Sequence, residues 1–238
     1  MGASLPLAVE KIVNNGKKIM WNMVEYRELE MVYSSAIKEV ETKFDVLNSE
    51  FDVRYRRNPI SSMHSRLKSR DSVLRKLVRY GYTPSIDNIK KHVKDFAGIR
   101  IICSYIDDIY SIADAFLAQD DITLIERKDY IKEPKPSGYR SLHLIVSVPV
   151  FFANGKRSVT VEVQIRTVAM NFWASLEHQM KYKRRTEISE EIVKELRVCS
   201  DGISAIDERM IELRDRIEAE EDAPGEDELL IERLSRLI

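Results

Sequence analysis

The sequence predicts an α+β fold, with a mixed or antiparallel sheet near the middle of the chain flanked by helices at both ends. Three observations carry this. Two stretches of alternating apolar and polar residues, Ser141 to Phe152 and Ser158 to Arg166, flank Asn154-Gly155, a strong hairpin signal. A β-branched run, Gly98 to Ser104, leads into a helical pattern from Asp107 to Gln119, making a strand-helix unit. Apolar residues at helical spacing dominate the first fifty residues and the chain beyond Val168.

In order along the chain, a short helix is expected over residues 7–24 and a longer one over 27–49. In the second, Leu29, Val32, Tyr33, Ala36, Ile37, Val40, Phe44 and Leu47 form one stripe between charged residues. From Phe51 the pattern turns basic, and Ile60 to Lys68 alternates loosely as a strand. Ser69 caps a helix from Asp71 to Tyr80, which Gly81 stops, and Ile86 to Val93 forms another short helix. Ile122 to Arg127 is a strand that opens into the loop Lys132-Glu133-Pro134-Lys135-Pro136-Ser137-Gly138-Tyr139, where two prolines and a glycine forbid regular pairing. After the hairpin the chain is helical over Val168 to Lys183, over 188–219, and over 226–238 beyond the breaker Asp222-Ala223-Pro224-Gly225.

The 238 residues, 44% of them hydrophobic, suffice for one substantial core with helical additions. With 38 Lys and Arg against 39 Asp and Glu, overall charge gives no case for a nucleic-acid or membrane coat. Cys103 and Cys199 lie far apart in a chain without a secretory segment, so a reduced, cytoplasmic protein without disulfide or zinc site is expected. No apolar run approaches a membrane span.

Strand alternation sets Val159, Val161, Val163 and Ile165 on one face and Thr160, Glu162, Gln164 and Arg166 on the other. Taken alone, the second set reads as a solvated sheet face. The neighbouring strand changes the balance, because Leu142, Leu144, Val146 and Val148 point to the core and leave Ser141 and His143 on the side of Glu162. Asp95 stands just before the buried strand entered through Gly98, where a turn or cap is its plain role. Two carboxylates brought together repel unless a cation sits between them, and hard oxygen ligands with phosphates suit Mg²⁺, which makes Asp95 and Glu162 candidate metal ligands.

Arg54, Arg56, Arg57, Arg66, Lys68, Arg70, Arg75, Lys76 and Arg79 form the one marked charge cluster. Such a run is usually solvated surface. Here Arg66 and Lys68 share strand parity and Ser72 and Lys76 lie one helical turn apart, so these four can converge on a polyphosphate at a helix N-terminus. No GxxxxGK[ST] is present, which argues against a P-loop enzyme. In the proline-containing loop, Lys135 supplies charge, Gly138 permits close backbone approach, and Tyr139 offers either a packing surface or a flat face for a base.

Five segments resemble, in order, the synthetase domain of the Rel/Spo homologue family. They are Arg66-Leu67-Lys68-Ser69-Arg70-Asp71-Ser72, Asp95-Phe96-Ala97-Gly98-Ile99-Arg100, Lys135-Pro136-Ser137-Gly138-Tyr139-Arg140-Ser141-Leu142-His143, Glu162-Val163-Gln164-Ile165-Arg166-Thr167 and Glu177-His178-Gln179-Met180-Lys181-Tyr182-Lys183. The short chain is similar to the small alarmone synthetases of that family. The resemblance implies a nucleotidyltransferase-like sheet, a catalytic region over 51–185, helical extensions over 1–50 and 186–238, and a homotetramer assembled through the latter. It implies transfer of pyrophosphate from ATP to the 3'-hydroxyl of GDP or GTP, with Mg²⁺ as cofactor. Carried over, Arg66 and Arg100 flank adenine while Lys68, Ser72 and Lys76 hold the ATP phosphates. Asp95 ligates Mg²⁺, and Glu162 lies near the metal as general base. Tyr139 stacks on guanine, Lys135 and His143 contact acceptor phosphates or ribose, and Asn171 and Glu177 help read the guanine side. The first fifty residues contain no histidine, so a hydrolase domain ahead of this region is not expected. A tetramer's central cleft is a place where a product alarmone or single-stranded RNA could regulate.

Two other readings remain at this stage. A relative of the same fold pyrophosphorylates the 3' end of tRNA, but the acidic Glu218-Ala219-Glu220-Glu221-Asp222 gives no support for holding tRNA. A catalytically silent nucleotide- or RNA-binding regulator gains nothing from two carboxylates beside phosphates.

Overall fold

A computed structural model describes residues 7–55, 57–182 and 189–221 of the chain. The N-terminal segment forms one helix, α1 (Leu7–Tyr55), where two were expected. The physical reason is plain in the sequence: no glycine or proline falls between residues 17 and 55, so nothing interrupts the backbone. The expected stripe from Leu29 to Leu47 is buried. The predicted helix over 226–238, its preceding breaker and Lys183 lie outside the described residues.

The remaining elements follow in order: β1 (Ile60–Leu67), α2 (Arg70–Arg79), α3 (Ile86–His92), β2 (Ala97–Cys103), α4 (Ile106–Leu117), β3 (Thr123–Asp129), β4 (Leu142–Phe152), β5 (Gly155–Thr167), α5 (Val168–Tyr182) and α6 (Glu190–Glu221). The five strands make one mixed sheet of order β1-β2-β5-β4-β3. Only the central pair, β2 with β5, is parallel. The hairpin turn sits one residue earlier than the Asn-Gly signal indicates: Phe152 pairs with Gly155, so Ala153 and Asn154 make the loop. Gly155 enters the strand at φ 116°, a conformation its missing side chain allows.

One face of the sheet packs on α1 and α4 around a continuous apolar core. Phe44 of α1 stacks on Phe116 of α4 at a centroid distance of 4.5 Å. Phe96, fully buried just ahead of β2, meets the Tyr33 ring edge-on at 4.7 Å. Truncating such an anchor costs about 3–5 kcal/mol. It also fixes the backbone beside Asp95, since the Phe96 carbonyl accepts from Lys68 N at 2.8 Å. The opposite face of the sheet is polar, and the predicted site residues of the strands lie there.

Candidate active site

Strand register arranges the polar face as rows. Arg66, Gly98, Glu162, Ile145 and Glu126 line up across the five strands. The next row is His64, Arg100, Gln164, His143 and Lys128, and Ser62, Ile102 and Arg166 begin a third. Gly98 therefore leaves a gap in the floor between Arg66 and Glu162. Arg66 and Arg100 are diagonal neighbours, and pairs in this relation sit roughly 7–8 Å apart, a spacing that admits a flat ring between two guanidinium planes.

Around Glu162 the side chains close into a ring. Arg166 donates to Tyr139 Oη at 2.9 Å and to Gln164 Oε1 at 2.7 Å, and Gln164 Nε2 donates to Glu162 Oε2 at 2.9 Å. Tyr139 Oη lies 2.8 Å from His143 Nε2, and His143 Nδ1 lies 3.6 Å from Glu162 Oε1. Burial lowers the His143 pKa from 6.5, so the imidazole is neutral at neutral pH. Burial also raises the Tyr139 pKa, keeping its proton. With Arg166 donating to the phenol oxygen, Tyr139 gives its own proton to Nε2, and the imidazole proton is assigned to Nδ1, facing Glu162. Burial would raise the Glu162 pKa, but the neighbouring His143 and the hydrogen bond from Gln164 outweigh it and hold the carboxylate below its ordinary value. Because His143 is uncharged at neutral pH, the Gln164 amide is the firmer of these two supports. Asp95 acts on Glu162 in the other direction through its negative charge.

Asp95 is clasped by two lysines. Lys68 Nζ stands 2.6 Å from one carboxylate oxygen and Lys76 Nζ 2.7 Å from the other. Burial opposes ionisation of Asp95, yet the two ammonium groups lower its pKa from 3.8. Two cations on one anion leave a local excess of positive charge. Ser72 stands in the first turn of α2, where Ser69 Oγ accepts from Ser72 N at 3.4 Å and caps the helix. Arg166 gathers further positive charge: burial and the neighbouring Arg100 and Arg66 depress its pKa, while Tyr139 and Glu162 oppose that shift. The Nε atoms of Arg100 and Arg166 are buried without a hydrogen-bond partner among the described residues. Such a cluster is an anion receptor.

The loop before β4 brings Lys135 over the rings of Tyr130 and Tyr139, at 4.5 and 4.7 Å from their centroids. Glu177 is buried on α5 and accepts from Ser137 Oγ at 2.9 Å, so it braces this loop. Asn171, in the first turn of α5, has a buried Oδ1 without a partner among the described residues.

Arg75 of the basic cluster donates to Ser72 Oγ at 3.4 Å, whereas Arg54, Arg57 and Arg70 pair away from the site. Arg57 pairs with the fully buried Asp108 and lies 3.7 Å from Asp107. Arg54 pairs with Glu50, and Arg70 packs over the Tyr26 ring at 4.1 Å and pairs with Glu30. Sequence reasoning missed Gln164, Arg166 and Tyr130 as site residues. For the first two the signal was present, since they share strand parity with Glu162. A cavity of about 940 Å³ between α1, α2 and α3 holds none of the predicted site residues.

Comparison with known proteins agrees with this fold. The sequence signature of a region found in RelA / SpoT proteins matches residues 65–187. Bacillus subtilis GTP pyrophosphokinase YwaC is 38% identical over 196 residues, covering 82% of this chain and 93% of its own. GTP pyrophosphokinase YjbM of the same organism is 36% identical, covering 78% of this chain and 87% of its own. The crystal structure of small alarmone synthetase 1 from Bacillus subtilis bound to its product pppGpp superposes with a TM-score of 0.73 at 35% identity, over 81% of this chain and 97% of that one. Signature, relatives and fold agree: the chain belongs to the RelA/SpoT family.

Proposed function

We propose that this protein transfers a pyrophosphate group from ATP to the 3'-hydroxyl of GDP or GTP, releasing AMP and making ppGpp or pppGpp. The observation that carries it is the setting of Glu162: an ionised carboxylate beside the Gly98 gap, on a sheet face otherwise rich in arginine. A carboxylate among cations serves as a base for a hydroxyl, while the cations serve the phosphates.

Arg66 and Arg100 sandwich the adenine. Lys68, Ser72 and Lys76 hold the triphosphate, the lysines exchanging Asp95 for phosphate oxygens. Tyr139 stacks on guanine, Lys135 and His143 hold the acceptor's phosphates or ribose, Asn171 accepts from the guanine edge, and Glu177 supports that side through the loop. Glu162 removes the 3'-hydroxyl proton, the oxygen attacks the β-phosphorus, and the bond to the AMP oxygen breaks as Arg166 and the lysines stabilise the developing charge.

Asp95 and Glu162 fit Mg²⁺, which takes one or two protein carboxylates and fills its remaining positions with phosphate oxygens and water. Among the described residues no group of three or more His, Cys, Asp or Glu could hold a metal ion by itself. When bound, the ion supplies neutralisation of the phosphate charge. No helix among the described residues is long and apolar enough to cross a membrane, and we place the enzyme in the cytoplasm.

A homotetramer is supported by α6, where Ile206, Met210, Leu213 and Ile217 are exposed at heptad spacing. The activity test incubates pure protein with Mg²⁺, β-labelled ATP and either GDP, GTP or tRNA. Labelled guanosine tetra- or pentaphosphate is expected; labelled tRNA, or no transfer, overturns the reading.

A further inference from the structure

The loop before β4 is tied to both C-terminal helices. Besides the contact of Glu177 with Ser137, Ser200 Oγ of α6 donates to the Gly138 carbonyl at 2.5 Å. Asp201 accepts from Arg140 at 3.0 Å and from Arg197 of its own helix at 3.1 Å. Gly138 has φ 90°, and a Cβ added there would stand 2.5 Å from Ser200 Cβ. Both the backbone conformation and the approach of α6 therefore require glycine. A carbonyl covered this closely by a helix needs a donor, and the buried Ser200 hydroxyl supplies it. The next residue is Tyr139, whose hydroxyl is held by Arg166 and paired with His143. Its side chain packs against the cluster of Trp173, Ala174 and Leu196. The segment 138–139 is thus fixed from behind by α6 and from in front by the site.

We propose that Ser200 and Asp201 are positioning residues for the acceptor nucleotide: α6 sets the loop so that Tyr139 and Lys135 meet guanine and phosphate already in place. The inference rests on the assignment of Lys135 and Tyr139 to the acceptor. Loss of the clamp mobilises the loop and weakens acceptor binding, while the ATP side, built on β1, α2 and β2, is untouched.

The test compares the full-length chain with Ser200→Ala, and with Asp201→Asn as a second variant should the first fold poorly. The KM for GDP is expected to rise about five- to tenfold, the scale of one lost hydrogen bond to a buried carbonyl. The KM for ATP should not move, while the melting temperature should fall modestly, because the buried Gly138 carbonyl loses its donor. Hydrogen exchange at the Lys135 and Gly138 amides, which bond within the loop to the Tyr139 and Lys135 carbonyls, should accelerate by a similar factor. Equal shifts in both KM values, or unchanged exchange, would overturn the proposal. If the wild-type chain forms no guanosine product, the acceptor reading falls. Exchange alone then decides whether Ser200 holds the loop: acceleration upholds it and no change refutes it.

Discussion

His143 Nδ1 stands 3.6 Å from Glu162 Oε1, with Tyr139 behind the imidazole at 2.8 Å from Nε2. The neutral ring thus turns a polarised N–H towards the carboxylate without neutralising it. Glu162→Gln keeps the shape and removes the base, so turnover should fall on the order of a hundredfold or more with unchanged melting. The pH profile adds a second check. A base acts when ionised, and the Glu162 pKa is held below 4.5, so loss of the base should lower kcat/KM only below that value, while protonation of His143, whose pKa lies below 6.5, sets any limb between the two. An acid limb near neutrality would remove Glu162 from the role.

Asp95 is held by Lys68, just beyond β1, and by Lys76 of α2, so its removal acts on charge as well as on any metal. Asp95→Asn should reduce turnover by on the order of a hundredfold. Lys68→Ala and Lys76→Ala should instead raise the KM for ATP and leave that for GDP unchanged. Steady-state kinetics with each substrate varied in turn separates these outcomes. Equal effects on both substrates would dissolve the assignment of the lysines to ATP.

Tyr139 combines two jobs that substitution can divide. Tyr139→Phe keeps the ring but breaks the links to His143 and Arg166, so turnover should fall several-fold with acceptor affinity retained. Tyr139→Ala also loses stacking, a contribution of roughly 1–3 kcal/mol per base, and GDP affinity should fall about five- to 150-fold. Binding titrations with GDP decide between them. Equal GDP affinity in the two variants would refute stacking.

Period-two alternation made the polar face of β5 legible, because neighbouring residues on a strand must point to opposite sides. That rule placed Glu162 and His143 on one face, and the family resemblance supplied their expected roles. Ser69 as a cap was also legible, since its role depends on a residue three positions away. The fates of Arg57 and Arg70 were not, because Asp108 and Glu30 are distant in sequence and only the fold chooses such partners. Two helices were expected where α1 is continuous. The contact of Ser200 with Gly138 spans 62 residues. No local pattern announces it.

On α6, Ile206, Met210, Leu213 and Ile217 follow spacings of four, three and four residues and remain exposed. A seam of this kind buries itself against another helix. Met210→Glu combined with Leu213→Glu should convert the proposed tetramer to smaller species by light scattering, with each subunit still folded by circular dichroism. Wild-type protein running as a monomer would defeat the tetramer directly.

Gly98 lies between Arg66 and Glu162 in the sheet, and its missing side chain forms the floor of the proposed ATP site. The protein itself does not demand glycine here: an added Cβ would meet only the Glu162 carbonyl oxygen, at 4.0 Å, and the backbone φ is not in the left-handed region. Gly98→Val should therefore preserve the fold, since β-branched residues suit a strand. Its methyl groups would stand where the nucleotide must approach. ATP binding should fall at least tenfold, about 1.4 kcal/mol, while the melting temperature holds or rises. Unimpaired ATP binding by this variant would mean that the nucleotide does not cross the row joining Arg66 to Glu162.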